Sequence, residues 1–127
     1  MSSNAVCRDF KDLLVWKKSM RLTGEIYQLT DQLPKAELFG LTSQLRRAVV
    51  SIPSNIVEGY GRNSKQDYLH FLKVARGSLY ELETQLWICI GLRYFSKDDA
   101  ASSFSLLGEI SRMLYSLILR VSANDTK

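Results

Sequence analysis

Few residues in the chain are suited to metal or nucleophile chemistry. Its one histidine is His70, and its two cysteines are Cys7 and Cys89. A structural zinc site takes about four such ligands, and these cysteines do not form a Cys-x-x-Cys pair. His70 reads as a solvated side chain on the outer side of a helix. Cys89 lies in an apolar helical run and reads as a buried thiol. Gly59-Tyr60-Gly61 has no strand before it, so it lacks the context of a phosphate-binding loop. No serine sits in a nucleophile elbow. The expectation is a protein with no catalytic residues, no metal and no cofactor.

Two other groups of residues point to binding. The first is polar: Ser51, Ser54, Asn55 and Glu58, with Arg47, cover one side of a helix in the segment Ser51-Ile52-Pro53-Ser54-Asn55-Ile56-Val57-Glu58-Gly59. Helix-end hydrogen bonding, subunit packing and ligand contact all fit this pattern. The second is basic: Arg46, Arg47, Arg62, Lys65, Lys73 and Arg76 fall between residues 42 and 80, beside only two acids, Glu58 and Asp67. The net charge is +4, so this window holds the whole excess and the remainder of the chain is balanced. Arginines next to aromatics, such as Arg76 near Tyr80 and Trp87, suit phosphate binding and base stacking. A solvated face with snorkelling stems is the plainer reading.

These residues are placed by helices. At 127 residues, 46% hydrophobic and 24% charged, the chain fits one folded domain. Two cysteines are too few for a disulfide framework and suit a reducing cytoplasm. No apolar run reaches the ~18–20 residues of a membrane span. Apolar residues recur at helical spacing in four segments, about 13–32, 37–58, 65–92 and 97–122, followed by a polar tail, 123–127. Asp12 is the expected N-cap of the first, and Phe10 is expected to pack back onto its first turn. That helix shows two apolar stripes: Trp16, Met20, Thr23, Tyr27 and Thr30, and beside it Val15, Leu22, Ile26, Leu29 and Leu33. Leu38 opens the core stripe of the second helix. Pro53 sits inside that helix and predicts a kink rather than an end, because the apolar register resumes at Ile56. Gly59 and Gly61 make a regular Glu58–Arg62 pair doubtful. Ser64/Asp67 and Ser96/Asp99 have the spacing of capping boxes. Short connections between long amphipathic helices give an all-α, antiparallel up-down-up-down four-helix bundle.

A lone bundle needs one apolar stripe per helix, and this chain has more. Val50, Pro53 and Val57 on helix 2, and Leu69, Tyr80 and Trp87 on helix 3, fall well off the core stripes. Scattered surface residues are one explanation. Self-association through helices 2 and 3 is the other, and the mixture of Tyr, Trp and Arg favours it. Gly77, on the outer side of helix 3, fits a close backbone approach.

Several ordered motifs accompany these features. They are Phe10-x-x-Leu13-x-Val15-Trp16-x-Lys18, Tyr27-x-Leu29-x-x-x-Leu33-Pro34, Leu41-Thr42-Ser43-Gln44-Leu45-Arg46-Arg47-Ala48, the Ser51–Gly59 segment, and Tyr68-x-x-Phe71-Leu72-x-x-Ala75-x-Gly77-Ser78-x-x-Glu81-Leu82-Glu83-Thr84-Gln85. Over roughly residues 10–95 the chain resembles the bacterial 23S ribosomal RNA intervening-sequence protein family, also called the four-helix-bundle protein family. The resemblance implies bundles assembled into a homo-oligomeric ring, typically a pentamer, with no enzyme activity and no cofactor. A related branch acts as the accessory protein of the reverse transcriptase of diversity-generating retroelements and is associated with nucleic acid. Two roles follow as expectations. One is RNA or DNA binding through the basic residues above. The other is a scaffold for a protein such as a reverse transcriptase, without direct nucleic-acid contact.

Overall fold

The computed structural model describes Phe10 and residues 13–123. Cys7, the Asp12 cap and most of the polar tail lie outside the described residues. Four helices make up the fold: α1 (Leu14–Thr30), α2 (Leu41–Tyr60), α3 (Lys65–Gly91) and α4 (Ala101–Ala123). A single 3₁₀ turn, Lys35–Glu37, precedes α2. Each helix packs on its neighbours in the cycle α1–α2–α3–α4–α1, which is an antiparallel four-helix bundle.

The core follows from the 3.6-residue period. Val15, Leu22, Ile26 and Leu29 of α1 meet Leu45, Val49, Ile52 and Ile56 of α2. Leu72, Leu79, Leu82 and Leu86 of α3 and Leu107, Ile110 and Leu114 of α4 complete it. Each fully buried aliphatic side chain contributes about 1.5–3 kcal/mol over its exposed state. Cys89 is a buried free thiol. Burial, with a smaller push from Glu37, raises its pKa to about 11. Of the two α1 stripes, only the Leu22–Ile26–Leu29 one is core; Met20 and Tyr27 of the other are exposed. Phe10 packs edge-on against Trp16 at 5.2 Å, as expected.

Local chemistry sets the helix ends. α2 begins at Leu41, four residues later than the periodicity suggests, because Glu37 closes the turn before it. One Glu37 oxygen accepts the Leu41 amide at 3.1 Å, and the other accepts the Tyr94 hydroxyl at 2.8 Å. Leu38, expected in the core, is half exposed in that connection. α2 runs on past Pro53 to Tyr60, in keeping with the resumed register. Ser64 caps α3 by accepting the Asp67 amide. Ser96 and Asp99 form a reciprocal box at 3.0 Å each, but it closes a turn, and α4 proper starts at Ala101 rather than near Lys97. At the end of α3 the Tyr94 amide reaches the Cys89 carbonyl and the Arg93 amide reaches Ile90. This pairing is the Schellman arrangement, usually built on glycine. Here Arg93 holds the left-handed position at φ 66°.

Candidate interaction surfaces

The polar motif of α2 bonds mainly within the chain. Ser51 Oγ shares a 2.8 Å hydrogen bond with Ser78 Oγ of α3. Asn55 donates to both the carbonyl and the hydroxyl of Ser51, and Ser54 donates to the Val50 carbonyl. Glu58 pairs with Arg62 at 2.6 Å. The doubt over that pair fails because α2 stays helical through Gly59. Gly59 is buried, and a Cβ there would lie 2.9 Å from Phe71 Cβ and 3.2 Å from the Tyr68 carbonyl oxygen. Glycine is needed because the backbone of α2 approaches α3 closely. Gly77 differs: a Cβ there would meet nothing within 4 Å, so this chain itself makes no close approach at Gly77.

The six cations of the basic window are not equivalent. Arg46 lies on the α1 flank of α2. Its Nε donates to the buried Thr30 hydroxyl at 2.9 Å. Its Nη2 donates to the Tyr27 carbonyl and to Asp31, and its guanidinium covers the Tyr27 ring at 4.5 Å. Arg46 is therefore a clamp between α1 and α2. Arg62, besides its pair with Glu58, lies over the Phe71 ring. Lys65 donates to the Ser122 carbonyl on α4. Arg47 and Lys73 are exposed, and Arg76 is half-buried. Arg47 lines a groove of about 370 Å³ between α2 and α3 with Gln44, Ser51, Ser78 and Glu81. His70 is exposed and packs edge-on against Phe71.

The expected interface residues separate into two faces. At 100° per residue, Val50 and Val57 lie about 120–140° from Leu45, on the same flank as Arg46, and so beside α1. Trp16, Met20 and Tyr27, the surplus stripe of α1, lie on the side Arg46 contacts. Together they form an α1–α2 face, with Met20, Tyr27 and Val50 exposed. Tyr80 and Trp87 lie about 120–140° from Ala75, on the α4 flank of α3. The Trp87 ring rests on Phe104 of α4 at 4.8 Å. With the exposed Tyr115 and Leu119 they form an α3–α4 face. Pro53 does not belong to a surface: it is buried in the bundle, at about 80° from Leu45. Leu69 is partly buried and packs on the core.

A third surface was not evident in the sequence. Between α1 and α4, Lys18 pairs with Glu109 at 3.3 Å. Glu25 accepts from Ser102 and Ser103 and lies 3.9 Å from Arg21. Arg112 and Arg120 line a 390 Å³ cleft with Leu13, Leu14, Met113 and Leu117, and neither has an acidic partner among the described ion pairs. In the linear sequence Glu109 and Asp125 mask these two arginines.

Among the described residues, no three His, Cys, Asp or Glu side chains gather as a metal site. No described helix is long and apolar enough to cross a membrane. The fold and surfaces define an all-α bundle with unlike apolar faces on opposite flanks. Residues 11–116 match the model of the 23S rRNA-intervening sequence proteins, and the chain belongs to that family. It is also similar to a crystal structure of a protein of unknown function from the S23 ribosomal protein family of Bacteroides thetaiotaomicron. The two are 27% identical with a TM-score of 0.77, over 83% of this chain and 98% of that one. No protein of curated function matches the chain.

Proposed function

We propose that the protein is a non-enzymatic bundle that self-associates into a ring and binds structured RNA or DNA. The observation that carries this reading is the pair of unlike apolar faces. An α1–α2 face and an α3–α4 face on opposite flanks suit head-to-tail contact, which closes into a ring when the rotation per copy allows it. The family resemblance favours five copies. A ring of this kind leaves two surfaces uncovered: the α1–α4 face with Arg112 and Arg120, and the α2–α3 groove with Arg47. Lys73 projects at the outer edge of α3. Phosphate binding calls on cations not held by acids, so these four, rather than Arg46 or Arg62, are the contacts. Arg76, on the flank the ring covers, bridges copies. Repetition around the ring multiplies weak contacts.

Fluorescence anisotropy with a labelled RNA hairpin and a labelled DNA duplex tests the reading. Affinity should fall steeply between about 50 and 200 mM salt, and Arg112→Ala with Arg120→Ala should flatten that dependence. No binding to either probe, or binding indifferent to salt, would refute the nucleic-acid role and favour the scaffold for another protein.

A further inference from the structure

Phe39 is the most exposed large apolar residue described, at 93%. It does not sit on a loose loop. On one side Leu38 and Lys35 are joined by a backbone hydrogen bond, and on the other the Gly40 amide bonds to the Glu37 carbonyl at 2.9 Å. The Glu37 carboxylate ties the segment to both Leu41 and Tyr94. A Cβ on Gly40 would fall 2.7 Å from Glu37 Oε1, the oxygen that accepts the Leu41 amide, so glycine leaves that carboxylate undisturbed. The fold thus holds an aromatic ring out in water on a pre-ordered backbone. Such a residue binds with little further ordering cost and is the type that dominates interface energetics.

We infer that Phe39 is the anchor by which one copy of the chain seats on the Trp87–Phe104 pair of the next. This rests on the self-association proposed above. Phe39 lies in the α1–α2 connection, at the end of the bundle where α3 finishes and α4 starts. Trp87 is in the last two turns of α3 and Phe104 in the first turn of α4, so both lie at that same end. Copies related by a ring axis along the helices keep like ends level. The Phe39 of one copy then stands at the height of its neighbour's Trp87. Trp87 is 45% exposed; its ring leans on Phe104, and Lys97 Nζ lies 5.6 Å from its centroid. It is a supported, half-open aromatic surface of the kind that dominates interface energetics.

Area favours a second copy over a short peptide. Phe39, Tyr27, Met20 and Val50 offer roughly 400–500 Å² of apolar surface, and Tyr80, Trp87, Tyr115 and Leu119 a similar amount. Together they supply about the apolar share of a standard interface of ~1,200–2,000 Å². A peptide on the Trp87 surface would leave most of both faces wet.

Sedimentation equilibrium of the full chain, with circular dichroism as a check on folding, tests this. Wild type should assemble. Phe39→Ala should keep its helical signal and associate about 10- to 100-fold more weakly. Trp87→Ala should weaken association as well, and the double variant should be no worse than the poorer single one, because the two residues act as a pair. A wild-type monomer would overturn both self-association and the anchor. An assembled wild type with Phe39→Ala unchanged, or strictly additive effects of the two substitutions, would overturn the anchor alone.

Discussion

Replacing Gly59 by alanine sets two effects against each other, and the geometry decides the sign. In an open helix the change gains about 0.5–1 kcal/mol, because alanine loses less backbone entropy. At position 59 the new methyl would stand 2.9 Å from Phe71 Cβ, 3.0 Å from Tyr68 Cδ1 and 3.2 Å from the Tyr68 carbonyl oxygen. None of these is the free end of a flexible side chain, so α2 and α3 must part by several tenths of an ångström. Forcing a methylene into a well-packed site costs about 1–3 kcal/mol. The overpacking term is the larger, and the net expectation is a loss of about 1–2 kcal/mol. For a chain of this length that is a fall of roughly 3–10 °C in Tm. Gly77→Ala is the control, since a Cβ there meets nothing within 4 Å; it should raise stability by about 0.5–1 kcal/mol. Both are read by thermal melts at 222 nm, at concentrations low enough to hold the association state constant. A Gly59→Ala melt equal to or above wild type would refute the close-approach reasoning.

Arg46→Ala should cost about 2 kcal/mol, from its charge-assisted hydrogen bonds to Thr30 and Tyr27, because the exposed Asp31 pair adds little. A urea titration reads this, and the salt dependence of nucleic-acid binding should stay as in wild type. Glu37 has its pKa held below the ordinary carboxylate value, first by the Leu41 amide and then by the Tyr94 hydroxyl. A depressed carboxylate stabilises the fold above its unfolded pKa, and that contribution is lost as pH falls through the folded value. Tyr94→Phe should therefore make the melting temperature less steeply dependent on pH on the acid side, as a melt series from neutral to acid pH would record. Arg93→Gly should raise the urea midpoint by the equivalent of about 0.5–1 kcal/mol, because a left-handed backbone disfavours a Cβ; an unchanged midpoint would count against strain at that turn.

Helical period placed the four helices because each buries one stripe, and it carried the second helix through Pro53 for the same reason. The ends were harder to read. Glu37 stops a helix that periodicity would extend, and it does so through Tyr94, 57 residues away. Surface roles were the least legible. The six cations of residues 42–80 look alike along the chain, yet Arg46 is a half-buried clamp because the end of α1 places Thr30 and Asp31 beside it. The Trp16–Met20–Tyr27 stripe of α1 has a purpose only in three dimensions, where Val50 and Val57 share its face. Arg112 is masked in the sequence by Glu109, which pairs with Lys18 instead. Pro53 at about 80° from the core centre is buried and Val50 at about 140° is not, a difference of less than one residue's rotation.

The close approach of α2 and α3 at Gly59 also bears on how the chain folds. Only four residues, 61–64, join these two helices, so bringing them together costs little loop entropy. The Gly59–Phe71 and Ser51–Ser78 contacts lie 12 and 27 residues apart in sequence, whereas Lys18 must find Glu109 across 91. Local contacts of this kind favour early pairing. The expected outcome is that substitutions within the α2–α3 hairpin slow folding while those at the α1–α4 seam chiefly speed unfolding, which stopped-flow refolding and unfolding rates would check.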